Sequence, residues 1–311
     1  MLRYLAKKFV FMVVSILVLA TITFFLMKAI PGDPFMSEKE VPESIRQNLY
    51  AQYGLDKPLF EQYVTYMKNV FLHFDLGVSM KKKFQTVGGI IEDAFIYSLK
   101  LGIVAIIVSV AVGLLLGMIA ALKHRKFLDS FTMIVAVLGV SVPSFVLAYI
   151  MQYLFGVKWQ FLSVAGLDSA TDYIMPVIAL SAMPIAFIAR LTRSTMLEVL
   201  SSDYIKTAKS KGLSQKVVMI RHALKNAILP VVTYLGPMTT NIITGSVVIE
   251  RIFGIPGLGK HFVDSVSNRD YTMIMGMTIF YGIILMIARF LTDVAYGFVD
   301  PRIKLTSRKE G

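Results

Sequence analysis

Six apolar runs dominate this chain, near 9–30, 98–122, 131–157, 174–192, 227–249 and 273–298. Each is long enough to cross a hydrocarbon core of about 30 Å, which takes roughly 20 helical residues. Inside lipid a backbone must satisfy its own hydrogen bonds, so the runs are expected as helices and the fold as all-α and polytopic. The composition agrees, with 56% hydrophobic and 17% charged residues. Arg3, Lys7 and Lys8 give the first run the look of a signal peptide. It exceeds an h-region of about 7–15 residues, and Pro31-Gly32-Asp33-Pro34 stands where a small-residue cleavage site belongs, so it is expected as a retained span.

The distribution of charge tests this topology. If the runs alternate direction, one side collects Arg3, Lys7 and Lys8, then Lys123, Arg125 and Lys126, then Arg190, Arg193, Lys206, Lys209, Lys211, Lys216, Arg221 and Lys225, and finally Arg302, Lys304, Arg308 and Lys309. Few acids accompany them. The positive-inside rule therefore places both termini and the 193–226 loop in the cytoplasm. The net charge of +12 follows from these loops and needs no nucleic-acid partner. The expected organisation is residues 1–30 as N-terminus and first span, 31–97 as an extracytoplasmic segment, 98–298 as a five-helix core, and 299–311 as a cytoplasmic tail. Within 31–97, helical spacing over Pro42–Tyr53 and Pro58–Phe74 predicts two short helices that pack on the spans. The chain lacks cysteine, which excludes disulfides, thiolate metal sites and a Cys nucleophile.

Catalytic chemistry finds no footing. Gly254-Ile-Pro-Gly-Leu-Gly259-Lys260 follows the phosphate-loop pattern until its last position, where His261 replaces the magnesium-binding Ser or Thr, and no buried strand precedes it. It reads as a glycine-shaped turn. His73, His124, His222 and His261 are scattered, without metal-ligand spacing, and no serine sits in a nucleophile elbow. Neither catalytic residues nor a metal or cofactor bound by this chain is expected.

Polar features of the spans have two readings each. Arg289 and Asp293, four apart, form either a neutral structural pair or a transport element, and a proton-coupled secondary carrier needs the latter. Lys28, Lys100, Arg190 and Arg193 lie close enough to span ends to snorkel. In the fifth run Thr233, Pro237, Thr240 or Asn241, and Thr244 recur on one side and avoid lipid, as a pathway lining or as a helix contact. Pro143, Pro184, Pro230 and Pro237 break backbone bonding within or beside spans. Gly113-Leu-Leu-Leu-Gly117 predicts close helix packing within the chain.

The cytoplasmic stretch Asp203–Pro230 reads as two short helices with a turn between them. Ser202 or Asp203 is placed to cap the first, Gly212 to end it in left-handed conformation, and Ser214 to cap the second. Val217, Ile220, Leu224 and Ile228 form an apolar stripe on the second helix, and the first exposes Tyr204, Ile205 and Ala208 beside Lys206 and Lys209. On physics alone, a lipid surface and a protein partner fit equally.

This stretch resembles the cytoplasmic signature loop of ABC-importer permeases. Lys206-Thr207-Ala208 holds the helix start, Gly212 the glycine, and Ala227-Ile228-Leu229-Pro230 the end. Lys206 replaces the family's glutamate, so a contact made by that acid does not carry over. The basic variant is similar to the oligopeptide/dipeptide/nickel branch. Ala29-Ile-Pro-Gly-Asp-Pro34, Tyr53-Gly-Leu-Asp-Lys-Pro58 and Ile249-Glu-Arg-Ile-Phe-Gly-Ile-Pro-Gly-Leu-Gly259 extend the likeness over nearly the whole chain, in the layout of the B-type peptide-importer subunit. The resemblance implies a six-span type I permease fold forming half of a substrate pathway in a bacterial or archaeal cell membrane. It implies a homologous second permease, two cytoplasmic ATPases that use ATP and Mg, and an extracytoplasmic substrate-binding protein. ATPase coupling then falls to Asp203, Lys206, Thr207, Ala208, Gly212 and Leu213, with Pro230 aiming the second helix.

Overall fold

The computed structural model describes residues 2–29, 32, 34–35, 42–82, 84–167, 169–214 and 217–299. Among them the architecture is helical, with one isolated antiparallel bridge, Val78 to Thr86. The long helices are α1 (Leu2–Ala29), α4 (Val87–Leu122), α7 (Ile174–Ser201), α9 (Leu229–Ile252) and α11 (Tyr271–Val299). Shorter ones are α2 (Glu43–Gln52), α3 (Leu59–Leu72), α5 (Phe127–Ser141), α6 (Ser144–Met151), α8 (Asp203–Ser210) and α10 (Leu258–Ser267). Among the described residues five helices are long and apolar enough to span a bilayer, and a sixth crossing exists if α5 and the following Ser144–Lys158 stretch count as one.

That third crossing, expected over 131–157 with a break at Pro143, is sharply bent. Its halves meet at 102°. Pro143 has no N–H to continue the ladder and forces Val142 out of helical geometry, to φ −92° and ψ 119°. Two other spans run past their expected ends. α4 begins at Val87 rather than 98, and its 36 residues measure roughly 54 Å, well beyond the hydrocarbon core. α7 continues from 192 to Ser201.

The chain divides into two compact units, Met1–Ile96 with Gly257–Ile287 and Tyr97–Pro256 with Ala288–Gly311. In the first, Pro42 and Pro58 start α2 and α3 close to where the sequence predicts. α3 packs on a span as expected, whereas α2 buries no residue fully. Tyr63 Oη and Thr21 Oγ1 are 2.9 Å apart, and the Tyr63 and Tyr66 rings lie against Phe24. Asp270, buried at the start of α11, accepts hydrogen bonds from the Ser79 hydroxyl and from the amides of Met80 and Met273.

The second unit is built around α7. Lipid tails are as apolar as leucine, so burial alone drives helices together weakly and close approach through small residues matters more. Gly113 and Gly117 of α4 face Ile188 and Thr192 of α7 so closely that added Cβ atoms would sit 2.7 and 2.5 Å from side-chain carbons there. The expected packing role of this glycine pair is thus met inside the chain. Gly139 of α5 approaches the Ala182 carbonyl of α7 in the same way, and Ser181 Oγ donates to the Ala105 carbonyl of α4 at 3.1 Å. Leu101, Ile188, Met238, Ile242 and Ile249 fill the core around these contacts.

The glycine-rich decoy also resolves locally. Gly254, at φ +63°, follows the end of α9 and lets the amides of Gly254 and Ile255 reach the carbonyls of Arg251 and Glu250. These are the two bonds of a Schellman cap.

Candidate functional site

The corner after α7 is set by backbone chemistry. Ser202 is extended, at φ −68° and ψ 153°, and turns the chain into α8. Its hydroxyl does not cap α8 as expected. It donates back to the Val199 carbonyl at 2.6 Å. Asp203 instead occupies the first helical position, where its charge favours the helix dipole, and it accepts from Lys206 Nζ at 2.8 Å. Both side chains are open to solvent.

The far end of α8 follows the sequence. Gly212 has φ +77°, its amide donates to the Lys209 carbonyl, and the Leu213 amide reaches Ala208, again the Schellman pair. No atom lies within 4 Å of an added Cβ at Gly212. The glycine therefore serves conformation, not space. Ser214 Oγ accepts from the Val217 amide at 3.5 Å, as a cap for the second segment should.

The apolar face of α8 is not exposed. Ile205 and Ala208, expected to point outward, are buried with Met196 of α7, Ala121 of α4, and Val218, Ala223 and Ala227. What remains exposed is Asp203, Tyr204, Lys206, Thr207, Lys209 and the Lys211–Leu213 turn. Asn226 Nδ2 donates to Tyr204 Oη at 2.9 Å and Thr195 Oγ1 to the Ala227 carbonyl at 3.1 Å, so both arms of the corner are tied down.

The second arm overturns the predicted stripe. Residues Val218–Leu224 form a π-helix, whose i→i+5 bonding adds one residue to a turn. The buried positions become Val218, Ala223 and Ala227, spaced by five and then four, while Val217 faces out. The side chain of Ile220 and all of Lys216 lie outside the described residues. Pro230 occupies the first turn of α9, where a missing N–H costs nothing.

Along α9, Thr233, Pro237 and Asn241 are exposed and Thr240 is half-buried, opposite the buried Val231, Met238 and Ile242. Thr233 Oγ1 also bonds its own helix, at the Leu229 carbonyl. The side chains of Thr244 and Asp293 lie outside the described residues, which leaves the fifth-span stripe one member short and the Arg289 pairing undescribed.

One element escaped the sequence. Arg193, read there as a snorkelling residue, instead grips the buried carboxylate of Asp129 with Nε to Oδ1 at 2.5 Å and Nη2 to Oδ2 at 2.8 Å. His124 Nδ1 and the Arg125 amide approach the same carboxylate at 3.2 and 3.0 Å. The cluster clamps the α4–α5 turn to α7 just before the corner. Its only sequence trace is that Asp129 is the lone acid after three bases.

Similarity to known proteins identifies the family. The chain matches the family model of binding-protein-dependent transport system inner membrane components over residues 113–305, and the model of their N-terminal region over 1–99. It is 50% identical to the dipeptide transport system permease protein DppB of Bacillus subtilis (strain 168), over 98% of this chain and 99% of that one. Identity to the oligopeptide transport system permease protein OppB of Haemophilus influenzae is 40%, covering 98% and 100%. The fold is similar to the MetNI methionine ABC transporter, with TM-score 0.57 at 16% identity over 68% of this chain and 96% of that one. A crystallised amino acid ABC transporter gives 0.53 at 17%, over 67% and 94%. This integral membrane protein belongs to the family of binding-protein-dependent transport system inner membrane components.

Proposed function

We propose that the chain is the permease half of an ATP-driven peptide importer, coupled to ATPase subunits through the exposed face of α8 and its Gly212 turn. The observation that carries this is the split of α8. Its apolar residues Ile205 and Ala208 are used to hold it on α7, which leaves a polar, basic face for an aqueous protein partner. A headgroup-binding helix needs that apolar face free. Asp203, Lys206, Thr207, Gly212 and Leu213 form the contact in this reading, and Ala208 anchors it from behind.

Motion of docked ATPases then passes into α7 through the corner and into α9 through the π segment and Pro230, rocking the spans between two access states. Thr233, Pro237, Thr240 and Asn241 line half of the pathway, and a homologous permease supplies the other half. Charge places residues 193–226 and both termini in the cytoplasm and the 31–97 segment outside, where a binding protein delivers substrate. ATP and magnesium act in the partner subunits. Peptides are the substrate class of the DppB and OppB relatives, and the exposed polar α9 face suits a cargo of amide groups with varied side chains.

Affinity purification from mild detergent tests the proposal. Two ATP-binding subunits and a second permease should co-purify, and Gly212→Val should reduce the ATPase share. Uptake by the chain alone in vesicles, without ATPases, would replace this reading with a secondary carrier.

A further inference from the structure

The face of α3 is wider than its partner helix can cover. Successive helical residues turn by about 100°, which sorts α3 into three strips. Tyr63, Tyr66, Met67 and Val70 form the first, and it packs toward α1 and Ile279. Gln62, Thr65 and Asn69 form the second, and they line a cavity of about 440 Å³ in the same unit. The third strip is Phe60 and Val64, about 40° apart and directly beside the first, while Phe71 on the same side is partly buried against the α1-facing core. Phe60 is 73% exposed and Val64 45%.

This third strip continues the exposed surface of α1. Tyr63 stacks on Phe25 of α1 at 5.3 Å, and Phe25 lies among the exposed Val18, Ile22 and Leu26. Those residues belong to a membrane span, so their surroundings are acyl chains. The apolar sheet of α1 therefore runs without interruption across Phe25 and Tyr63 onto Phe60 and Val64. Immediately beyond Val64, about 40–60° further round α3, Lys68 and the Lys57–Glu61 ion pair at 2.8 Å mark where water begins.

We infer that α3 is an interfacial helix, embedded by its exposed Phe60–Val64 strip in the leaflet at the Lys28 end of α1. A helix that lies in the headgroup plane carries Phe and aliphatic residues on its buried face, and Tyr63 beside the strip suits that level. The segment between α1 and α4 is then held at the bilayer surface by lipid as well as by α1. The inference rests on α1 crossing the membrane and is independent of the ATPase coupling proposed above.

The absence of cysteine makes the test direct. Phe60→Cys, Val64→Cys and Thr65→Cys in the full chain, each labelled with an environment-sensitive fluorophore, are reconstituted in phosphatidylcholine vesicles with nitroxide on the acyl chains. Labels at 60 and 64 should emit to the blue and lose most of their emission to the lipid nitroxide. The label at 65, next in sequence but on the cavity side, should respond to aqueous iodide instead. Iodide quenching at 60 and 64 overturns the inference, and so does protection from both quenchers, which would mean that protein covers the strip.

Discussion

Arg193 and Asp129, 64 residues apart in sequence, meet in a two-pronged ion pair whose shorter arm is 2.5 Å. The pair is unevenly buried, with the Asp129 side chain 5% exposed and that of Arg193 24%. Removing one partner therefore has unequal effects. Arg193→Ala strands a buried carboxylate and should cost about 3 kcal/mol, whereas Asp129→Ala leaves a guanidinium that can turn to water and should cost about 1–2 kcal/mol. Thermal melts of the two variants and the double variant give the coupling, and equal losses would contradict the asymmetry.

Within the chain itself, Gly212 is needed for its backbone angle and not for space. Gly212→Val should destabilise the α8 corner by about 1–2 kcal/mol, because a branched residue at φ +77° is strained. Gly212→Asn, which tolerates that conformation, should retain most transport. If Asn and Val behave alike, space or contact at this turn matters more than angle.

Glycines along α4 should separate sharply. Gly117→Ala forces a methyl against Thr192 and the Ala189 carbonyl and should cost about 1–3 kcal/mol through overpacking. Gly88→Ala meets nothing within 4 Å and should be neutral or slightly stabilising. Melting temperatures in lipid nanodiscs report the difference.

His261 predicts an acid-sensitive contact. Its Nδ1 lies 2.9 Å from Lys82 Nζ, an arrangement that needs an imidazole accepting the ammonium proton. Burial first, then the charges of Lys82 and Lys260, hold its pKa below the ordinary value of 6.5, with Asp264 opposing. The folded chain thus binds this proton less readily than the unfolded chain. Stability from His261 is intact above about pH 6.5 and is lost as pH falls toward the lowered folded value. His261→Asn should flatten the pH dependence of melting between about pH 7 and 5.

The α9 stripe predicts a pattern of reagent access. Cysteine at Asn241, exposed, should react with a water-soluble thiol reagent in a way that depends on nucleotide state, while cysteine at Ile242, 1% exposed, should stay inert. Inertness at 241 in every state removes the pathway reading of this face.

Much of this was legible because it depends on neighbours in sequence. Pro42 and Pro58 announced α2 and α3, and Gly212 announced the end of α8, since each acts through its own dihedral. Pro143 was visible as a break, but the 102° between its flanking helices depends on how they pack. The burial of Ile205 and Ala208 could not be read locally, because the same amphipathic pattern suits a lipid surface, an ATPase or the chain's own α7. Val217 and Leu224 were placed on an α-helical period that the π turn does not keep. Arg193 and Asp129 needed the fold itself to bring them together.

The π turn in Val218–Leu224 also marks a point where evolution can change the length of the chain at little cost. A single lost residue there converts an i→i+5 turn into an ordinary α turn and leaves the helices on either side in register. In the α-helical parts of the spans the same deletion would rotate every later side chain by about 100°, and only the π turn at Gln152–Lys158 shares this tolerance among the described residues. Within the helices, length variation among related permeases is therefore absorbed most cheaply at these π turns, one of them between the α8 corner and the entry to α9.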